Sequence, residues 1–449
     1  MSFKERSKLI EHDFGLTEEE IIIDEMNEKH AVVRAGKFYI LTEETDVFGH
    51  PSFTLEGRSS FRAFYEDEII KCEDGFSRCK ADIWLKSPRR RKFTGIIFDP
   101  TPNYDRSKYN LWKGFAIKPK KGCSEKYWSH VKDVICAGNT NSYTYIRKWL
   151  AYVFQRPQEI HTALVLCGSQ GTGKNAFIDS LGVLFGSHYI SVSGMKELLS
   201  SFNFHLKNAV LVHANEALWG KNPNALGSLK AMITDSLCTI EAKGKDVIML
   251  KNYKHVIISS NESFPVHLDS DDRRFFVLRV SDIHKEDHEY FKAIFEELKN
   301  GGYEALLYDL LHEDISEFNP RKFPESYESF KIKLMSTNSC ARYIYDVLGT
   351  GYLDKECSIK WTNILIRSLL YENYKKWCLA NGEGRMPCNT FGVHLKKIFP
   401  MIETTRIAYL SGRAYAYRVP PLRFAREQFA YHFKVSQDLF ERDDNDTER

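Results

Sequence analysis

From His161 onward the apolar residues stop recurring at helical spacing and gather into short unbroken runs. "TALVLCG", "NAVLVHANEA" and "KHVIISSNES" each have the pattern of a buried strand, and "KNAFIDSLGVLFG" after the first has that of a helix. Strands that are apolar on both faces and separated by helices predict a parallel sheet covered on both sides. This α/β core spans residues 158–285.

The flanks are patterned differently. Residues 1–125 form a mixed α+β accessory region, in which "KFYILTEE" and "FTGIIFDP" are predicted strands and "SPRRRKFTG" is a basic turn. Residues 126–157 form a helical linker, with Ile146, Trp149, Leu150 and Val153 at helical spacing and Pro157 at its end. After "FFVLRVS" a helical lid occupies 286–330. Within 331–440, "WTNILIRSLLYENYKKWCLANG" reads as a helix stopped by Gly382, with Ile366, Leu369, Leu370 and Trp377 near one stripe. "NTFGVHLKKIF" is a second helix capped by Asn389, and "TRIAYLSGRAYAYRV" is a hairpin around Ser411-Gly412. Helix, helix, hairpin is a winged-helix pattern. The polar residues 441–449 form an acidic tail predicted to be disordered.

Composition sets bounds on function. The chain has 449 residues, 43% of them hydrophobic, which suits two to four packed domains and excludes global disorder. A net charge of +3 means that any contact with nucleic acid rests on local basic patches. None of the ten cysteines forms a C-x-x-C pair, which argues against a zinc ribbon, and Cys167 reads as a buried thiol. The sequence has no secretory signal, no apolar run long enough to span a membrane and no internal repeat, so a cytoplasmic protein with free thiols is expected.

The candidate chemistry begins at "LCGSQGTGKNAF". Gly168, Ser169, Gln170, Gly171, Thr172, Gly173, Lys174, Asn175 and Ala176 follow a strand and open a helix. That context separates a phosphate cradle from an ordinary glycine turn: glycines let backbone N–H groups converge on phosphate, and the helix N-terminus favours negative charge. Asn175 stands where a hydroxyl usually ligates Mg²⁺, and its amide oxygen is also a hard donor. In "HANEA", which alone can be a strand end with no role, the place about 40 residues after the loop puts Asn215 at a metal-supporting position and Glu216 at that of a residue polarising the attacking water. Asn261 closes another strand, where it can hold the lytic water or serve only as a turn former. Arg273 and Arg274 in "DDRRFF" can complete a neighbour's site or merely pair with Asp271 and Asp272. Lys243 and Lys245 project from "AKGKD", the tip of a predicted hairpin, which is either a phosphate contact or an ordinary solvated turn.

The order loop, Asn-Glu strand, basic hairpin, strand ending in Asn, then arginines resembles superfamily 3 helicases, the AAA+-type ring ATPases of viruses, phages and mobile elements. "KSPRRRKFTGIIFDP", "YNLWKGFAIKPKKG" and "YIRKWLAYVFQRP" are similar to the approach to the ATPase in phage, plasmid and poxvirus-type primase-helicases. Asn after the loop lysine is frequent in that group. The resemblance covers about residues 85–440. It implies a P-loop AAA+-like core, ATP and Mg²⁺ as cofactors, a homo-oligomeric ring (a hexamer) and a single DNA strand in its pore. It also implies a C-terminal winged helix, on which Lys396, Lys397, Arg406 and Arg413 either grip duplex DNA or are simply solvated. The residues before 85 are too few for the primase domain of longer relatives, so a separate primase partner and no primer synthesis by this chain are expected. Two other readings stay open: a replication initiator or loader with weak hydrolysis, and a non-enzymatic DNA-binding protein.

Overall fold

The computed structural model describes residues 17–47, 49–72, 74–200, 203–215, 223–241, 247–262, 272–324, 326–410, 412–435 and 439–440. The N-terminal region opens with α1 (Glu18–Lys29), started by a capping box in which Thr17 and Glu20 bond each other's backbone. Strands β1 (His30–Ala35), β2 (Lys37–Thr45) and β3 (Pro51–Glu56) follow, and β4 (Lys92–Phe93) joins them in the order β3-β2-β1-β4. "FTGIIFDP" is therefore not one strand. It leaves β1 after Phe93, and Ile96–Ile97 then pairs with Tyr109–Asn110.

Helix α2 (Thr140–Gln155) is capped by Asn139 and buries Ile146, Trp149, Leu150 and Val153, as its spacing predicts. Its Trp149 indole donates to the Thr162 carbonyl at 3.1 Å, which ties the helix to the first core strand.

The core is a five-stranded, wholly parallel sheet. Its strands are β5 (Ala163–Cys167), β6 (Tyr189–Ser193), β7 (Leu211–Asn215), β10 (His255–Ser260) and β11 (Phe275–Arg279), in the order β6-β7-β10-β5-β11. One face packs Leu164, Leu166 and Ile257 against α3 (Lys174–Phe185) and α2. The other packs Val165, Val212 and Ile258 with Leu229 and Ile233 of α4 (Pro223–Thr234). Alternate residues of each strand thus meet different helices, which is why these strands read as continuous apolar runs. Strands β8 (Leu237–Ile240) and β9 (Ile248–Lys251) form the expected antiparallel ribbon. Its tip, with Lys243 and Lys245, lies outside the described residues.

Helices α5 (His288–Glu297) and α6 (Tyr303–His312) close the core beside α2 and α3. The C-terminal region has its own core around Tyr343, Leu370, Tyr374, Phe391 and Phe429. It comprises α7 (Ser339–Thr350), β12 (Ile364–Ile366), α8 (Arg367–Ala380), α9 (Cys388–Ile398), the hairpin β13 (Glu403–Tyr409) and β14 (Gly412–Arg418), and α10 (Leu422–Phe433). Two expectations are corrected here. Residues 361–366 are not helical, because Ile364–Ile366 pairs antiparallel with Ala416–Arg418 and makes a third strand. Asn389 caps nothing: α9 already begins at Cys388 behind Pro387, whose fixed φ suits a helix start. Among the described residues no helix is long and apolar enough to cross a membrane, and all ten cysteines are unpaired.

Candidate nucleotide-binding cleft

The loop after β5 turns at Gly171 (φ +81°) and Gly173 (φ +93°), left-handed conformations that favour glycine. Space requires glycine as well. A Cβ on Gly173 would stand 2.5 Å from His130 and 2.6 Å from Phe291, and one on Gly171 would stand 2.9 Å from Glu286. Gly173 forms the N-terminal boundary of α3 and makes no side-chain cap, so the first-turn amides face the cleft without a side-chain competitor. Lys174, 7% exposed, lays its ammonium 2.6 Å from the Gly168 carbonyl, 2.8 Å from that of Ser169 and 3.1 Å from Asn261 Oδ1.

These groups line a cleft of ≈ 490 Å³ at the C-terminal ends of β5, β7 and β10. Its wall runs from Gln170 to Ala176 and adds Asp179, Asn215, Ser259, Ser260 and Asn261, with Glu286, His288, Phe291 and Phe295 opposite. Such a crevice at the carboxyl ends of parallel strands is where open α/β sheets bind ligands. Lys174, Asn175, Asn215 and Asn261, chosen from sequence, are thus brought together. Glu216 lies outside the described residues. Asn175, Asp179 and Asn215 are hard oxygen donors, as Mg²⁺ requires. Among the described residues no group of three His, Cys, Asp or Glu can hold a metal alone. A cation here fits only together with phosphate oxygens.

Three supports of the cleft escaped the sequence reading. His130, wholly buried, donates from Nε2 to the Gly173 carbonyl at 3.1 Å and accepts from the Tyr290 hydroxyl at 3.2 Å. Burial lowers its pKa to about 4, so the ring buttresses the loop as a neutral group. The segment before α5 crosses the loop, with the Glu286 amide donating to the Gly171 carbonyl at 3.0 Å. Third, between α3 and β10 the Tyr189 hydroxyl bonds Asp179, and His213, Ser259 and Asn215 form a hydrogen-bonded row beside it, with Tyr189 Oη 3.2 Å from His213 Nδ1. Burial also lowers the His213 pKa to about 4.

Arg273 and Arg274 precede β11, whose Phe275 pairs with Ala163 at the start of β5. They therefore sit at the end of the sheet opposite the loop. Arg274 is tied to buried Asp272 through its backbone N–H at 3.0 Å and its guanidinium at 3.7 Å, whereas Arg273 is exposed. In the C-terminal region, Lys396 and Lys397 are exposed in the last turn of α9. Arg406 and Arg413 share one face of the hairpin with half-exposed Tyr415, and the Arg406 guanidinium lies 4.4 Å from that ring's centre.

Residues 166–274, which hold the loop, Asn215 and Asn261, match a family of unknown function, DUF5906. Residues 350–435 match the family described as poxvirus D5 protein-like. A DNA primase-polymerase of Nitratiruptor phage NrS-1 is 33% identical over 155 residues, which is 34% of this chain and 22% of the relative. The chain therefore matches less than a quarter of that protein's length. In fold, the apo structure of the NrS-1 C-terminal region (305–718) is similar with a TM-score of 0.64 at 20% identity, over 88% of this chain and 98% of that one. The A form of the same region gives 0.63 at 19% identity, with the same coverage.

Proposed function

We propose that this chain is an ATP-hydrolysing DNA motor of superfamily 3 helicase type, acting in the replication of a phage or related mobile element. The observation that carries the reading is the convergence of the glycine loop, Lys174, Asn215 and Asn261 on one cleft at the carboxyl end of a parallel sheet. The similarity to a phage primase-polymerase, to the fold of its C-terminal region and to a poxvirus D5-like family supports the replication setting.

In this reading the core is a P-loop AAA+-like ATPase and the C-terminal region a winged helix. Lys174 and the loop amides bind the β- and γ-phosphates. Asn175, with Asn215 beside it, would hold Mg²⁺, which would supply charge neutralisation at the phosphates. Glu216 polarises the attacking water and Asn261 senses the γ-phosphate. Arg273 and Arg274 lie at the sheet's far end, so an arginine from there completes a site only in a neighbouring subunit of a ring. Arg273 suits that role better, because Arg274 is tied to Asp272. Lys243 and Lys245 contact a DNA strand in the ring pore, while Lys396, Lys397, Arg406 and Arg413 contact duplex. The test is steady-state phosphate release with and without single-stranded DNA. Glu216→Gln is expected to abolish it while nucleotide binding persists, and full turnover by that variant contradicts the reading.

A second reading is favoured by one feature. Asn175 and Asn215 are both neutral, which suits a nucleotide-binding initiator or loader that hydrolyses weakly. A wild-type turnover unmoved by DNA selects it.

A further inference from the structure

We infer that Asp179 is the carboxylate of the cation site, oriented by Tyr189, and that it acts beside an Asn215 oriented by Ser259 and His213. The inference rests on the nucleotide reading above and names the charge which that reading lacks. Mg²⁺ in phosphate sites is usually held by one or two carboxylates besides the phosphates. Both residues at the expected positions here are amides. Among the described residues lining the cleft the carboxylates are Asp179 and Glu286. Glu286 is committed to the loop's outer side, against Gly171. Asp179 stands four residues after Asn175, on the same face of α3.

These two sets of bonds are built rather than incidental. The Tyr189 hydroxyl donates to Asp179 Oδ1 at 2.7 Å and lies 3.2 Å from His213 Nδ1. His213 Nε2 lies 2.7 Å from Ser259 Oγ, which donates to Asn215 Oδ1 at 3.1 Å. Asn215 and Ser259 are register partners on adjacent strands, and Ser191 and His213 likewise. Ser259 uses its hydrogen on Asn215, so His213 donates from Nε2, and its Nδ1 accepts from Ser191 Oγ at 3.4 Å. Asn215 Oδ1 keeps a second lone pair, and Asp179 keeps Oδ2. Those are two oxygens from different elements, each oriented by its own hydrogen bond, Asp179 by Tyr189 and Asn215 by Ser259 with His213 behind it, as outer-shell partners hold metal ligands elsewhere. Gly182 is the independent sign. A glycine inside a helix costs about 1 kcal/mol relative to alanine. A Cβ there would stand 2.4 Å from the Tyr189 ring, so its absence lets the ring lie against α3 and the hydroxyl reach Asp179.

The test is binding of a fluorescent ATP analogue to the full chain, titrated with Mg²⁺ and repeated in EDTA. Asp179→Asn keeps the side-chain shape at an exposed position. It is expected to raise the Mg²⁺ concentration for half-maximal enhancement about tenfold or more, with binding in EDTA unchanged. Tyr189→Phe shifts that midpoint in the same direction by a smaller factor, and Glu286→Gln leaves it in place. A wild-type midpoint in Asp179→Asn, or an equal loss of EDTA binding, overturns the inference. Failure of the wild-type chain to bind nucleotide under either condition overturns the nucleotide reading itself.

Discussion

The cleft and the C-terminal hairpin both gather polar side chains, but they hold them in opposite ways. In the cleft, Lys174 is buried against two carbonyls and Asn261, and the loop beneath it rests on wholly buried, neutral His130. On the hairpin, Arg406 and Arg413 are exposed, and Arg406 is steadied by little more than the Tyr415 ring. The first arrangement fixes geometry at the cost of tolerance. The second presents charge and tolerates change. Substitutions in the two places should therefore fail differently.

The sharpest contrast is expected from Lys174→Ala, which should cut ATP turnover by about a thousandfold, the scale of losing a preorganised charge in such a site. DNA binding without nucleotide should stay at the wild-type level, as read by fluorescence anisotropy. Next come two glycines. Gly173→Ala places a methyl 2.5 Å from His130 in a left-handed backbone and should lower stability by about 2–3 kcal/mol. Gly412→Ala, with nothing within 4 Å, should stay within about 0.5 kcal/mol. Urea midpoints of the two variants compare them directly.

Acid should act on the core in a defined window. Burial lowers the pKa of His130, His188 and His255 to about 4, against an ordinary 6.5. The unfolded chain therefore takes up protons at these sites before the folded one does. Their contribution is complete above pH 6.5 and is lost as pH falls toward 4, at up to about 1.4 kcal/mol per unit for each. Midpoints measured at pH 7.5, 6 and 5 check the slope. The smallest effect is expected at the hairpin. Arg406→Ala with Arg413→Ala should weaken duplex binding by about three- to tenfold and flatten its salt dependence by a slope of about 2, with ATP turnover unaltered.

Much of the core is legible in the sequence, because a short unbroken apolar run between turn residues suits little besides a strand buried on both faces. Strands β5, β7 and β10 and helix α3 fall where the pattern puts them. Edge strand β6 is not legible in this way, because "YISVS" is short and mixes exposed with buried positions. Ile364–Ile366 looks helical because Ile and Leu suit either state, and only pairing with β14 decides it. The loop is readable as a local motif, but its supports are not. His130 precedes Gly173 by 43 residues, and Tyr189, His213 and Ser259 meet through sheet register. Nothing local in the sequence marks a histidine as a buttress or an aspartate as a cation ligand.

Whether nucleotide in the cleft drives work on DNA is decided by unwinding of a forked duplex by the full chain, in single turnover with Mg²⁺ and ATP. ATP-dependent strand separation is expected of the wild-type protein and none of Lys174→Ala. Equal unwinding by the two proteins, or none by the wild-type under conditions where it hydrolyses ATP, would show that the cleft does not power strand separation.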